Sequence, residues 1–352
     1  MIGIDLFAGA GGMSLGASMA GISVEFAVEL DRFAGKTYSR NHPQTELYRG
    51  DIRNLTRKRL RRWIPKKNRV VVFGGPPCQG FSWSNARTRN LDNDENWLFE
   101  EFLRVVKIVK PAWVVFENVQ GIVDTASGEF RRQVTSGIEG CGYKVWTALL
   151  NAVHFGVPQD RTRFFLVGSR TRPGFRFPRR RMKPITVYEA IHDLPRLENG
   201  ASQCWKPYGR ATPSAYARHL RQQTGCCNHL VTSNAPFVLK RYAFVPQGGN
   251  WENIPARLMR NYADRSRCHT GIYHRLTAKA PSVVIGNFRK NMLIHPTQNR
   301  GLSVREAARM QSFPDWYTFV GSIGFQQQQV GNAVPPHLAA AVFRALLRND
   351  NQ

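Results

Sequence analysis

Cys78 stands where a thiol could act as a nucleophile. It lies in Gly74-Gly75-Pro76-Pro77-Cys78-Gln79-Gly80-Phe81-Ser82, directly after the apolar run Val70-Val71-Val72-Phe73. A buried strand that ends in two glycines and two prolines delivers its next side chain onto a stiff, exposed loop, the placement such a thiol needs. A cysteine after a strand is more often a packed small residue, so its company decides the reading. Thirty-nine residues on, the apolar run Trp113-Val114-Val115-Phe116 ends in Glu117-Asn118-Val119. Further along, Gln159-Asp160-Arg161-Thr162-Arg163 precedes the strand-like Phe164-Phe165-Leu166-Val167. Thiol, carboxyl and guanidinium thus fall at or beside strand ends, where open α/β sheets build their sites.

With three further blocks the chain resembles the DNA cytosine-5 methyltransferases over nearly its full length. These are Asp5-Leu6-Phe7-Ala8-Gly9-Ala10-Gly11-Gly12, Arg305-Glu306-Ala307-Ala308-Arg309-Met310-Gln311-Ser312-Phe313-Pro314-Asp315 and Gly331-Asn332-Ala333-Val334-Pro335-Pro336. The resemblance implies methyl transfer from S-adenosylmethionine to C5 of cytosine in double-stranded DNA. C5 is a poor nucleophile, and addition of the Cys78 thiolate at C6 turns the ring into an enamine whose C5 can attack. By the same resemblance Glu117 would face the cytosine N3 and amino edge, carrying or sharing a proton, which favours a raised pKa in a closed pocket. Arg163 would hold the base O2, Arg161 would support the thiolate or the backbone, and the Pro77 carbonyl would accept from the exocyclic amine. None of these groups reaches a stacked base, so the target must be flipped out of the duplex. The loop after Cys78, with Ser82, Ser84, Asn85, Arg87 and Arg89, suits a lid that contacts phosphates.

The first block reads as strand, tight turn and helix start. It is close to the dinucleotide fingerprint G-x-G-x-x-G, but the third glycine falls at Ser14. In the family it resembles, this turn passes under the methionine part of the cofactor, which assigns Asp5, Phe7, Gly9, Gly11 and Gly12 to the pocket. Glu29, followed by Leu30, closes the next strand where a carboxylate can accept ribose hydroxyls. Asp51 and Ile52 follow the third strand and suit the adenine amino group and its face. Pro77, Asn332 and Ala333 are implied to complete the pocket.

Positioning these groups requires a sheet. Residues 2 to 168 alternate short apolar strands with helical stretches, which predicts a Rossmann-like α/β domain with a mostly parallel sheet. From Arg170 the composition turns to Pro, Arg, Gly and Asn, and a smaller, irregular target-recognition domain is expected over 169–290. Regular pattern returns over 291–352. There Ser303 and Glu306 form a capping box for a helix, Gln326 to Gln329 reads as loop, and a final helix from Pro335 docks back onto the first domain.

Charge points to a polyanion. The 352 residues carry 50 Lys+Arg against 24 Asp+Glu, a net of +26. Residues 169–300 hold 23 Lys+Arg and 5 Asp+Glu, leaving 27 against 19, or +8, elsewhere. Such an excess favours phosphate contacts. Six cysteines show no C-x-x-C pair, so a disulfide framework is not expected, and Cys226, His229, Cys268 and His269 lack the spacing of a zinc site. No metal is expected. No uninterrupted apolar run reaches the ~18 residues of a membrane span, and the expectation is a cytoplasmic monomer whose neighbour is a cognate restriction endonuclease. Three other readings are an RNA cytosine methyltransferase, disfavoured by the long basic insert, a catalytically silent DNA-binding regulator, disfavoured by the intact catalytic blocks, and a nicotinamide dehydrogenase, disfavoured by the missing glycine.

Overall fold

The computed structural model describes residues 1–64, 69–77, 98–124, 128–172, 174–179, 183–209, 211–262, 271–286, 288, 290 and 292–350. The chain divides into two compact units. The first comprises Met1–Ala152, Thr162–Arg180 and Pro336–Gln352, the second Val153–Arg161 and Arg181–Pro335.

The first unit is built on a seven-stranded sheet. Its strands are β1 (Ile2–Leu6), β2 (Ser23–Glu29), β3 (Glu46–Arg49), β4 (Val70–Gly74), β5 (Trp113–Val119), β6 (Lys144–Asn151) and β7 (Thr162–Ser169), in the order β3-β2-β1-β4-β5-β7-β6. The first five are mutually parallel, while β7 runs antiparallel to both β5 and β6. Val70, Val71, Val72 and Phe73 are all buried, as a strand covered on both faces requires. Helices Gly12–Ala20, Arg32–Asn41, Leu98–Val109, Glu129–Glu139 and Pro336–Asp350 belong to the same unit.

Two features of this sheet position chemistry. Parallel strands gather their carboxyl ends on one edge, so the residues after Leu6, Glu29 and Gly74 open in one direction. The reversal of β7 then brings its first residues to that same edge, with Arg163 opposite Val119. β5 runs to Val119 rather than ending at Phe116, because Glu117, Asn118 and Val119 find ladder partners in Phe165, Phe164 and Arg163.

The last helix is keyed in place. Gly16 of helix Gly12–Ala20 has no room for a side chain: a Cβ there would sit 2.5 Å from the Ala339 Cβ and 2.7 Å from the Pro336 carbonyl oxygen. At the far end Asp350 accepts from the Trp113 indole at 2.8 Å and pairs with Arg69 at 2.7 Å.

The second unit has short elements, an apolar core and many buried polar groups. An apolar cluster gathers Val238, Tyr242, Val245, Ile254, Met259, Tyr273 and Ile294. Arg275 donates to the carbonyls of Tyr242, Val245, His295 and Gln298, and Arg309 pairs with Asp193 and Asp315, each at 2.6 Å. The expected capping box is present, with Ser303 and Glu306 bonding reciprocally at the start of helix Val304–Met310.

Three expectations are corrected. The glutamine run is not loop but part of helix Ile323–Asn332, since glutamine is a good helix former and here its amides find partners: Gln326 with Asn228, Gln327 with Thr232 and Gln329 with the Val320 carbonyl. Residues 291–335 cluster with the second unit, and the chain re-enters the first only at Pro336. Finally, Arg241, Arg275 and Arg300 are interior residues, so the basic excess of 169–300 is not all surface charge.

Candidate functional site

At the carboxyl end of β5, Glu117 and Arg163 face one another. Side chains alternate along a strand, so Glu117 shares a face with Val119, whose partner is Arg163, and the two charged residues are diagonal neighbours across the ladder. Arg163 Nε lies 3.1 Å from Glu117 Oε1, and Arg163 Nη1 donates to the Thr162 carbonyl at 2.9 Å. Both side chains are nearly buried, at 12% and 9% exposure, so the charges meet in a low-dielectric setting. Burial pulls the Arg163 pKa down and the Glu117 charge opposes it.

The loop that leads toward Cys78 is fixed against the same strand. Asn118 Nδ2 donates to the Pro76 carbonyl at 3.0 Å, and its Oδ1 accepts from the Val119 amide. A Cβ at Gly75 would stand 2.7 Å from Glu117 Oε2, so the loop passes directly over the carboxyl. Pro77 is half-buried, and Cys78, Ser82, Ser84, Asn85, Arg87 and Arg89 lie outside the described residues. Reading the sequence did not single out Asn118 as a site residue. Its position next to Glu117 on a strand that ends under a proline loop was the available signal.

Arg161 belongs to the second unit. Its buried guanidinium donates to the carbonyls of Ile285, Gly331 and Ala333 at 3.1, 2.9 and 3.1 Å. Of its two expected roles, these bonds serve the one toward the backbone. Asn332, exposed, and Ala333, buried, lie in that unit too, at the end of helix Ile323–Asn332.

The glycine-rich turn and Glu29 form a second group of residues at the edge of the first unit's sheet. Phe7 is left-handed at φ 62°, as are Gly9 and Gly11 at 56° and 89°. The turn therefore folds tightly, with Gly12 opening the next helix. It is clamped to the next strand by Glu29, whose Oε2 accepts from the Gly9 amide and whose Oε1 accepts from the Asp31 amide, both at 2.7 Å. Burial pushes the Glu29 carboxyl up, opposed by those two amides. Leu30 beside it is 67% exposed.

The other acids of this edge are engaged elsewhere. Asp5 is buried, and its carboxyl accepts from Ser14 Oγ at 2.6 Å, which lies 2.8 Å from the Tyr38 hydroxyl. It supports the turn from inside, and burial pushes its pKa up to about 8. Asp51 caps the short turn Ile52–Asn54 and pairs with Arg53 at 2.6 Å, while Ile52 is part of the core.

A family model described as C-5 cytosine-specific DNA methylase matches residues 1–348. Type II methyltransferase M1.HphI of Haemophilus parahaemolyticus is 38% identical over 99% of this chain and 87% of its own length. Type II methyltransferase M.XorII of Xanthomonas oryzae pv. oryzae is 35% identical over 99% and 84%. Among solved structures, a candidate DNA modification methyltransferase encoded within an E. coli prophage is 25% identical, with a TM-score of 0.80 over the whole of both chains. The S. pombe Dnmt2 methyltransferase, 16% identical with a TM-score of 0.58, shares the fold.

Proposed function

This chain belongs to the C-5 cytosine-specific DNA methylase family, and from that premise we propose that it methylates C5 of a cytosine flipped out of duplex DNA through a covalent adduct with Cys78. The observation that carries the reading is the Glu117–Arg163 pair, set beneath the Pro76–Pro77 loop at the end of β5.

The Cys78 thiolate adds to C6 while Glu117 supplies a proton to N3, so electron density moves to C5. Arg163 holds O2, and its charge keeps Glu117 oriented toward the ring. After methylation N3 returns its proton to Glu117, and loss of the C5 proton to water re-forms the C5–C6 double bond and expels the thiolate. Asn118 acts as a positioning residue that sets the Pro77 carbonyl against the exocyclic amine. Arg161 ties the strand-entry segment to the backbone at Gly331 and Ala333.

S-adenosylmethionine would supply the electrophilic methyl. The residues fit it: Gly9 and Gly11 place no side chain in the turn, Glu29 is held with its carboxylate fixed, and exposed Leu30 offers an apolar face. Phe7, Gly12, Pro77, Asn332 and Ala333 complete the assignment, with Asp5 acting through Ser14. Asp51 would serve the adenine amino group while paired with Arg53, over Ile52. Ser82, Ser84, Asn85, Arg87 and Arg89 form the lid that contacts DNA. The second unit reads the target sequence. We also propose cytoplasmic action as a monomer and, by likeness to the Type II relatives, pairing with a restriction endonuclease; no described helix is long and apolar enough to cross a membrane.

Incubation with labelled S-adenosylmethionine and unmethylated plasmid, followed by bisulfite sequencing, should place 5-methylcytosine in one sequence context. Cys78→Ser should abolish transfer and leave cofactor binding unchanged. Substantial turnover by that variant would overturn the covalent mechanism.

A further inference from the structure

The charge outside 169–300 is not spread evenly. Residues 49–69 hold 10 Lys+Arg and one acid, Asp51, a net of +9. That exceeds the +8 of everything outside 169–300, so the remainder, with 17 Lys+Arg and 18 acids, is nearly neutral. The segment joins β3 to β4 in the first unit. Its described residues 49–64 are anchored to the unit: Leu60 is buried, Trp63 stacks on Phe26 with ring centroids 5.4 Å apart, and Arg104 holds the carbonyls of Ile52 and Leu55 at 2.8 and 3.0 Å.

Part of this charge is answered locally. Arg53 pairs with Asp51, Arg59 and Arg62 share Glu46, and Arg69 pairs with Asp350. Arg57, Lys58 and Arg61 are exposed, with no carboxylate partner among the described residues. Arg57 and Arg61 stand one helical turn apart with Lys58 beside them. Holding cations together without partners is electrostatically costly, and a large single-sign field is a feature of surfaces that meet an opposite charge.

We infer that the ridge bearing Arg57, Lys58 and Arg61 is a second DNA-binding face, which contacts the phosphates of duplex flanking the target. The inference rests on duplex DNA being the substrate. An anionic membrane fits less well: membrane-surface helices expose an apolar face among their cations, whereas Leu60 and Trp63 here turn inward and, of the described apolar residues of the segment, Ile64 alone is exposed.

The test uses the full chain and two duplexes, one just spanning the methylated site and one with several helical turns of flank. The variant R57Q/K58Q/R61Q should lower the slope of log K against log salt on the long duplex by about 3, near one per lost phosphate contact. Binding and turnover on the short duplex, and the sequence methylated, should stay as in the unaltered protein. R57K/R61K, which keeps the charge, should retain the original slope. The slope comes from binding alone, so it stands or falls apart from methyl transfer. An unchanged slope on the long duplex overturns the inference, as does an equal loss on both duplexes. Loss of binding to anionic vesicles or to RNA duplex without loss on DNA would overturn it too.

Discussion

Two carboxyls at the edge of the first unit's sheet illustrate how a neighbour's backbone can set a side chain's role. Glu29 is gripped by two amides and presents a fixed carboxylate. Glu29→Ala should weaken S-adenosylmethionine binding by about 1–3 kcal/mol, the scale for losing a charged hydrogen-bond partner, leaving the methylated sequence unchanged. Titration calorimetry showing wild-type affinity would remove Glu29 from the pocket. Asp5 works in the opposite sense. Its folded pKa of about 8 lies above the unfolded value, so the folded state binds the extra proton. The stability this contributes is full below the unfolded pKa and lost as pH climbs toward 8. Thermal melts across pH 5 to 8 should therefore show a downward trend that Asp5→Asn reduces; equal slopes for the two proteins would contradict it. The sequence placed both acids beside the turn. It could not tell them apart, because which one turns inward depends on Ser14 and Tyr38 meeting across the fold.

Strands and helices show the same division between what is local and what is not. The alternation of β1 to β5 with helices, and the Ser303 capping box, were legible because period and cap chemistry are local properties. The reversal of β7 was not, and it creates the Glu117–Arg163 diagonal. The glutamine helix was missed because its buried amides depend on Asn228 and Thr232, about a hundred residues away. The seat of the last helix was hidden in one glycine. Gly16→Ala would force a methyl against the Pro336 carbonyl and Ala339, backbone-anchored atoms that cannot swing aside. The expected cost is about 1–3 kcal/mol, read as a lower denaturant midpoint at unchanged slope. A midpoint equal to wild type would mean that the two helices separate without penalty.

Across the whole chain, composition pointed to a polyanion partner but could not say which charges reach the surface. Arg241, Arg275 and Arg300 lie in the second unit's interior, while the basic ridge of Arg57, Lys58 and Arg61 lies on the first. Guanidiniums that bridge carbonyls let a unit of short elements hold its loops, a role no residue count can separate from DNA contact. Recognition and chemistry should nonetheless be separable. Replacing residues of about 183–285 with the matching segment of a relative should move the methylated sequence while preserving transfer. The retained side of that junction includes Arg161 and its partners Gly331 and Ala333. Bisulfite sequencing of DNA treated with an active chimera that still marks the original site would assign specificity to the first unit or its lid.

The grip on Glu29 also bears on how the protein can change over generations. Both donors are main-chain amides, of Gly9 and Asp31. Every residue except proline supplies such a donor, so a substitution at position 31 would leave this contact in place, and what it would lose is the Asp31 carboxyl that caps helix Arg32–Asn41 through the Phe33 and Ala34 amides. Retuning that contact by replacing a neighbouring side chain is closed as a route. A lineage adapting to an altered nucleoside would have to substitute Glu29 itself or rebuild the glycine turn, which makes this one of the least evolvable points of the molecule.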